Sequence, residues 1–308
     1  MYRAAVWSRG VMSNVGTVSR LGGRRILVLG VLSALLLATG NLVSASRASG
    51  ATARSVDVLY AGSLLNLMEN QIGPAFHRAT GDNVVGIANG STALATEIKG
   101  GTEVADVFVS ASPSVNRVLE GPANGDWVSS YRVLGQSPLV LGYNPDSSFA
   151  AALRSSPWYD VVARPGFLLG RTDPAVDPKG VLAVTALREA ARRYHRPRLA
   201  ALATSTSDVF TEASLVGELD AGQLDAGFFY TVEATAAHLH TVALVGTHLA
   251  ATFTVAIVNR APHSRAARAF VAFLFGPRGR AILSRNGVIP PGSTRVGDVV
   301  SSPPTTRP

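Results

Sequence analysis

Two serines stand at matching places in consecutive segments, each where a short apolar strand should turn into a helix. Before Ser63, residues 56–60 alternate as a strand would, and Ala61 and Gly62 turn the chain; behind it Leu64, Leu67, Met68, Ile72 and Phe76 recur near helical spacing. The pattern repeats 28 residues on, with a β-branched run at 84–87, a turn at 88–90, Ser91, and then Ala93, Leu94 and Ile98. The first N–H groups of a helix lack intrahelical partners and carry its positive dipole end, so a helix start can hold an anion, with a serine hydroxyl as one more donor. The plainer reading of either serine alone is a helix N-cap. Two Gly-Ser starts after successive strands strengthen the case for a shared anion site without deciding it.

Other chemistry finds less support. A hydrolase built on Ser63, with His77 and Asp106 as partners, would lack the Gly-x-Ser-x-Gly elbow. The six histidines (His77, His195, His238, His240, His248, His263) are scattered, and only His238 and His240 are close in sequence, with no carboxylate at metal-motif spacing. The expectation is therefore that the protein is not an enzyme. No cysteine is present, which excludes disulfides, thiolate chemistry, Cys-ligated metals and lipid attachment through an N-terminal Cys.

The elements that must position the serines fit a chain of 308 residues, long enough for two lobes, with 47% hydrophobic and 16% charged residues. The net charge of +8 is not a nucleic-acid signal. Seven arginines precede Ser55 with no Asp or Glu among them, and residues 55–308 carry 21 basic against 20 acidic groups. Arg20, Arg24 and Arg25 precede an apolar run at 26–38 that is short for a membrane span, and Val43-Ser-Ala45 follows with small residues where a signal peptidase cuts. This predicts a signal segment over 1–45, at most to about 54, and a mature chain outside the inner membrane, periplasmic or extracellular. The alternative is an uncleaved anchor helix.

Further strands are predicted at 105–110, 139–143, 166–170, 226–230 and 251–258, and helices from 112 to about 120, 181–193, 212–219, 264–275 and 278–286. Three strand–helix units in succession argue for an α/β protein with a parallel sheet. The Arg192, Arg193, Arg196 and Arg198 cluster reads as a solvated helix end. The Pro-, Ser- and Thr-rich residues 293–308 read as a tail.

The order of these pieces resembles the substrate-binding proteins of molybdate/tungstate ABC transporters, within the periplasmic-binding-protein superfamily. The matching stretches are Tyr60-Ala-Gly-Ser-Leu-Leu65, Asn89-Gly-Ser-Thr-Ala93, Ala105-Asp-Val-Phe-Val-Ser-Ala111, Thr172-Asp-Pro-Ala-Val-Asp-Pro-Lys-Gly180 and Leu224-Asp-Ala-Gly-Phe-Phe-Tyr230. The resemblance implies a type II fold of two α/β lobes joined by two strands, 56–137 with 251–292 as one lobe and 138–250 as the other. It also implies one bound oxyanion, no cofactor, a monomer, and an ABC permease with its ATPase as partners. Carried over residue by residue, the anion contacts would be Ser63 and Ser91 with their backbone N–H groups, the loop at Asp177 and Lys179, a backbone N–H at the helix start near Glu212, and the Tyr230 hydroxyl.

A fully deprotonated tetrahedral oxyanion carries only acceptors, so hydroxyls and N–H groups are the donors it needs. In the tungstate-preferring branch of the family two carboxylates can ligate the metal directly. One is matched here by Asp177, or less closely by Asp173; the other would precede the tyrosine, where this chain has Phe229. That departure predicts a four-coordinate anion, and leaves Asp177 equally readable as a turn residue before Pro178. Sulfate, phosphate or a small organic anion would suit the same serines, and a membrane-anchored anion sensor is a further alternative.

Overall fold

The computed structural model describes residues 54–292; the expected signal segment at 1–45 and the tail at 293–308 lie outside the described residues. Nine strands make one mixed sheet: β1 (Ser55–Ala61), β2 (Asn83–Asn89), β3 (Val107–Ser110), β4 (Arg132–Tyr143), β5 (Leu169–Thr172), β6 (Val209–Phe210), β7 (Ala226–Tyr230), β8 (His240–Ala243) and β9 (Ala250–Ile257). Their order is β2-β1-β3-β9-β4-β7-β5-β6, with β8 also on β4. β1 pairs in parallel with β2 and β3, as the strand–helix repeat predicts, and β5 pairs in parallel with β6 and β7. Antiparallel β9 and β4 join the two parallel sets.

β4 does the joining. Its residues 132–138 pair with β9, and 139–143 pair with β7. Sequence alone starts this strand at 139, because Gly135 and Pro138 both disfavour a strand interior. The structure accommodates them with a register shift between Val133 and Gly135. At Gly135 the Ile289 carbonyl approaches so closely that a Cβ would lie 2.4 Å from its oxygen.

Strand alternation builds the core. On β1, Val56, Val58 and Tyr60 enter the main cluster, while Leu59 faces a second cluster with Leu94, Ile98 and Phe108. The helix Ser264–Phe275 buries Ala266, Ala267, Phe270 and Leu274, and Phe76 meets Phe270 and Phe273 edge-on at 5.2 and 5.6 Å. Of these rings Phe76 and Phe270 are fully buried, each worth roughly 1.5–3 kcal/mol. The helical run 62–80 is not one regular helix: a 3-10 turn (Gly62–Leu64) and an α turn lead into a π turn (Met68–Ile72) before α-helix Gly73–Thr80. Gly73 N–H reaches back to the Met68 carbonyl, and Pro74 has no N–H with which to close the next α turn. Four helices escape the sequence reading (Ala150–Ser155, Trp158–Val162, Pro197–Thr204, Thr231–Ala236), each too short for a periodic signal.

One histidine meets carboxylates through the fold, not through sequence spacing. His263, at the start of its helix, lies 3.0 Å through Nδ1 from Asp106 Oδ2 and 3.5 Å from Asp57 Oδ2. The fully buried Asp106 also accepts the backbone N–H groups of Asp57 (2.8 Å) and His263 (2.6 Å). It therefore ties β1, β3 and the helix Ser264–Phe275 together. Asp106→Ala strands two backbone donors, so the urea midpoint should fall by an amount equivalent to about 2 kcal/mol or more; an unchanged midpoint would show that water replaces the carboxylate. Among the described residues no helix is long and apolar enough to cross a membrane.

Candidate functional site

Neither serine caps a helix. The 3-10 turn that holds Ser63 has Ala61 at its N-cap, and the helix Ser91–Gly100 has Gly90 there; neither makes a side-chain capping bond. Both serines are buried, at 2% and 0% exposure. Ser63 Oγ has no hydrogen-bond partner. Ser91 Oγ accepts the Ala111 N–H at 3.0 Å, which leaves its own proton to donate. Of the next N–H groups of the second helix start, those of Thr92 and Ala93 both donate to the Val176 carbonyl, at 3.2 Å each.

Those two bonds bring the 173–177 loop, which follows β5, onto the turn after β2. Asp173 is a turn residue, its Oδ1 accepting the Ala175 N–H and its carbonyl accepting those of Val176 and Asp177. Asp177 caps the helix Pro178–Arg193 with Oδ1 on Lys179 N–H at 2.9 Å, while its Oδ2 is buried without a partner. The turn reading of Asp177 thus accounts for Oδ1 and leaves Oδ2 unengaged by the protein. Only glycine fits opposite this loop: a Cβ at Gly90 would lie 2.4 Å from Val176 O and 3.2 Å from Asp177 Cβ.

Glu212 makes the matching approach to the first turn. It opens the helix Glu212–Asp220, whose cap is Thr211, and a Cβ at Gly62 would lie 2.6 Å from Glu212 Oε2. Sequence reasoning assigned this position a backbone role. In the structure its carboxylate is buried, at 5% exposure, with neither oxygen hydrogen-bonded. Oε1 lies 3.3 Å from Lys179 Nζ, an ion-pair distance without hydrogen-bond geometry. The position before the tyrosine, Phe229, carries no carboxylate. Phe229 packs with Leu215, Leu219 and Leu224 on one face of β7, and Tyr230, one residue on, faces the main core. Glu212 brings the carboxyl group from a different element.

Tyr230 is fully buried at the end of β7, its ring edge-on to Phe253 at 5.8 Å and its hydroxyl without a partner. Lys179, expected to contact the anion, is engaged elsewhere. Its ammonium donates to both oxygens of Glu233, at 2.9 and 2.8 Å, deep in the protein. Sequence reasoning missed Glu233, although an acid at the third position of the helix after β7 was a signal to weigh. Among the described residues, eight buried side-chain polar atoms lack a hydrogen-bond partner, and five of them belong to Ser63, Asp177, Glu212 and Tyr230. Buried polar groups are normally satisfied, so this concentration marks the candidate site.

The charges reinforce one another. Burial pushes the Glu212 carboxyl well above the ordinary carboxylate range, and Asp177 and Glu233 push it further, against the pull of Lys179. Burial alone would lower Lys179, but Glu233, Glu212 and Asp177 outweigh it and hold the ammonium above the ordinary lysine value. Burial, then Asp177, Glu212 and Glu233, raise the Tyr230 phenol, so it stays a donor. A cavity of about 160 Å³ reaches this cluster past Ser63, Asn66, Glu212 and Glu233. A larger cavity, about 400 Å³, lies elsewhere, between Arg132, Phe275 and Pro290, away from these groups.

The arrangement is a closed set of hydroxyls and carboxylates at the carboxyl ends of parallel strands, where α/β sheets bind their ligands. Ser63 has no hydrogen-bonded base, and Asp106, once its conceivable partner, is engaged by His263 before β3, at the opposite end of the strands. Fold and site are those of a binding protein. A family model for bacterial extracellular solute-binding proteins matches residues 56–289, and the chain belongs to that family, whose members are not enzymes.

A Haloferax volcanii protein named for molybdenum binding in an ABC transporter is 30% identical over 182 residues, covering 59% of this chain and 56% of its own length. The molybdate-binding protein ModA of Mycobacterium tuberculosis is 29% identical over 276 residues, covering 86% of this chain and 97% of its own. Among solved structures, the periplasmic molybdate-binding protein of Azotobacter vinelandii superposes with a TM-score of 0.58 at 20% identity, over 77% of this chain and 99% of its own. The sulfate-binding protein SubI of Mycobacterium tuberculosis gives 0.60 at 16% identity, over 78% and 88%. These neighbours identify the type II periplasmic-binding-protein fold, and between them they bind different anions.

Proposed function

We propose that the protein captures molybdate or tungstate outside the cell membrane and delivers it to an ABC permease with its ATPase. One observation carries the choice of ligand: Asp177 Oδ2 and both oxygens of Glu212 are buried without hydrogen-bond partners beside the hydroxyls of Ser63 and Tyr230. Two carboxylates repel a dianion that offers them nothing. The sulfur of sulfate accepts no further oxygen ligands, whereas Mo(VI) and W(VI) do. A metal-centred oxyanion can therefore take the hydroxyl protons on its oxo groups and the carboxylate oxygens on its metal. This departs from the four-coordinate expectation; the names of the molybdate-binding relatives support the choice of molybdate. The two-lobe division at the β4 and β9 crossings fits this reading, with Ser63 and Ser91 on one lobe and Asp177, Glu212 and Tyr230 on the other, so that the anion would hold the lobes closed.

A second reading rests on the same oxygens. Hydrogenphosphate carries a proton that a carboxylate such as Glu212 can accept. Calorimetry with molybdate, tungstate, sulfate and phosphate separates the two, and X-ray absorption tests the coordination. Bound molybdate should show the weakened pre-edge peak of an expanded metal, with sulfate the weakest binder. The full tetrahedral pre-edge peak would disprove direct ligation, and preference for phosphate would favour the second reading.

A further inference from the structure

Lys179 is the only cation within the buried cluster formed by Asp177, Lys179, Glu212, Tyr230 and Glu233, and two glutamates compete for it. An ammonium has three protons. Two are directed to Glu233, at 2.8 and 2.9 Å, while the Glu212 oxygen stands off at 3.3 Å without a hydrogen bond. Glu233 holds this geometry because it is itself fixed. Its Oε2 accepts the Tyr230 N–H at 3.4 Å, and the start of its helix is tied to β4 by Val232 N–H on Ser137 Oγ (2.9 Å) and by Thr231 Oγ1 on the Pro138 carbonyl (3.2 Å). Lys179 is fixed from the other side, its backbone N–H on Asp177 Oδ1. All four charged side chains are at most 5% exposed, so none can turn to solvent to find another partner.

We infer that Glu233 is a positioning residue that sets the selectivity of the site: by holding the Lys179 ammonium it keeps the Glu212 carboxylate available to the bound anion. The inference rests on the ligand reading proposed above. Without the Glu233 charge, the ammonium has only a short way to move to pair fully with Glu212. A carboxylate so paired is a poorer ligand for a metal centre, and the ammonium then stands beside the anion, where it favours any tetrahedral dianion. The two consequences have opposite signs for different anions. Molybdate loses a ligand oxygen, whereas sulfate, which never used it, gains a cation. A residue that merely supports the fold would weaken both alike.

The test is calorimetric titration of the full chain with molybdate and with sulfate, in wild type, Glu233→Gln and the double variant Lys179→Gln/Glu233→Gln. The molybdate-to-sulfate affinity ratio should fall by about ten-fold or more in Glu233→Gln, with sulfate bound more tightly than by wild type. In the double variant, with no ammonium left to capture Glu212, it should return to within about three-fold of wild type. An unchanged ratio, equal losses for both anions, or a double variant as altered as the single one overturns the inference. Should Glu233→Gln not fold, Glu233→Asp decides, since the shortened side chain loosens its grip on Lys179 while keeping the charge. The ratio should then fall in the same direction, and a wild-type ratio overturns the role. Wild-type protein that binds no molybdate defeats the underlying reading, and the role of Glu233 with it; normal wild-type binding with an unchanged ratio in the variants defeats the role alone.

Discussion

On the ligation proposed above, Glu212→Gln should lose molybdate and tungstate affinity by about a hundred-fold or more, since removing a direct ligand exceeds the roughly 10–100-fold typical of outer-shell partners. The amide keeps the shape of the side chain against Gly62, so the loss reports the carboxylate charge and not a collapsed pocket. The ligand-free protein should move the other way. Glu212 is held above its ordinary pKa by burial and then by Asp177 and Glu233. Between the ordinary carboxylate range and that raised value, the folded state binds more protons than the unfolded chain. Stability is therefore greatest below this window and falls as pH rises through it. Removing the charge should raise the melting temperature at neutral pH, by about 2–4 °C for each kcal/mol gained, and flatten the pH dependence. Glu233, shifted in the same direction, preserves part of the slope. Calorimetric binding and a pH series of melting curves measure both effects. Wild-type affinity in Glu212→Gln would remove the carboxylate from the site.

The serines separate binding from stability in a way that caps could not. Each hydroxyl should donate a charge-assisted hydrogen bond to the anion, worth roughly 1.5–3 kcal/mol, so Ser63→Ala and Ser91→Ala should each weaken binding about ten-fold or more. The double variant should reach about a hundred-fold, if the two bonds are independent. Ligand-free stability should differ between them. Ser63 Oγ bonds to nothing within the protein, so its loss should leave the unfolding midpoint unchanged or slightly raised. Ser91 Oγ holds the Ala111 N–H, and stranding that donor should cost about 1–3 kcal/mol. Equal stability losses with wild-type affinity would return both serines to a purely structural role.

What could be read without coordinates was the part governed by local rules. Alternation and spacing located β1, β7 and the helix Ser264–Phe275, because each carries its own periodic signal and its own stop. The two Gly-Ser turns singled out Ser63 and Ser91 because they repeat in order. The long strand β4 was half hidden, since Gly135 and Pro138 deny it a strand signature and only β9 and Ile289 make it one. The chemistry of the cluster was hidden for a related reason. Nothing local distinguishes the Glu212 carboxylate from any acid in the first turn of a helix, where the dipole favours it on the surface. Its meaning comes from Gly62, 150 residues earlier in the chain, which lacks the Cβ that would push it away. Glu233 likewise reads as an ordinary helix-start acid until Lys179, from a helix beginning at Pro178, arrives at 2.8 Å. Local sequence determined which donors were at hand. The tertiary structure decided which charges meet out of water, because pairing and desolvation depend on distances that no short stretch of chain contains.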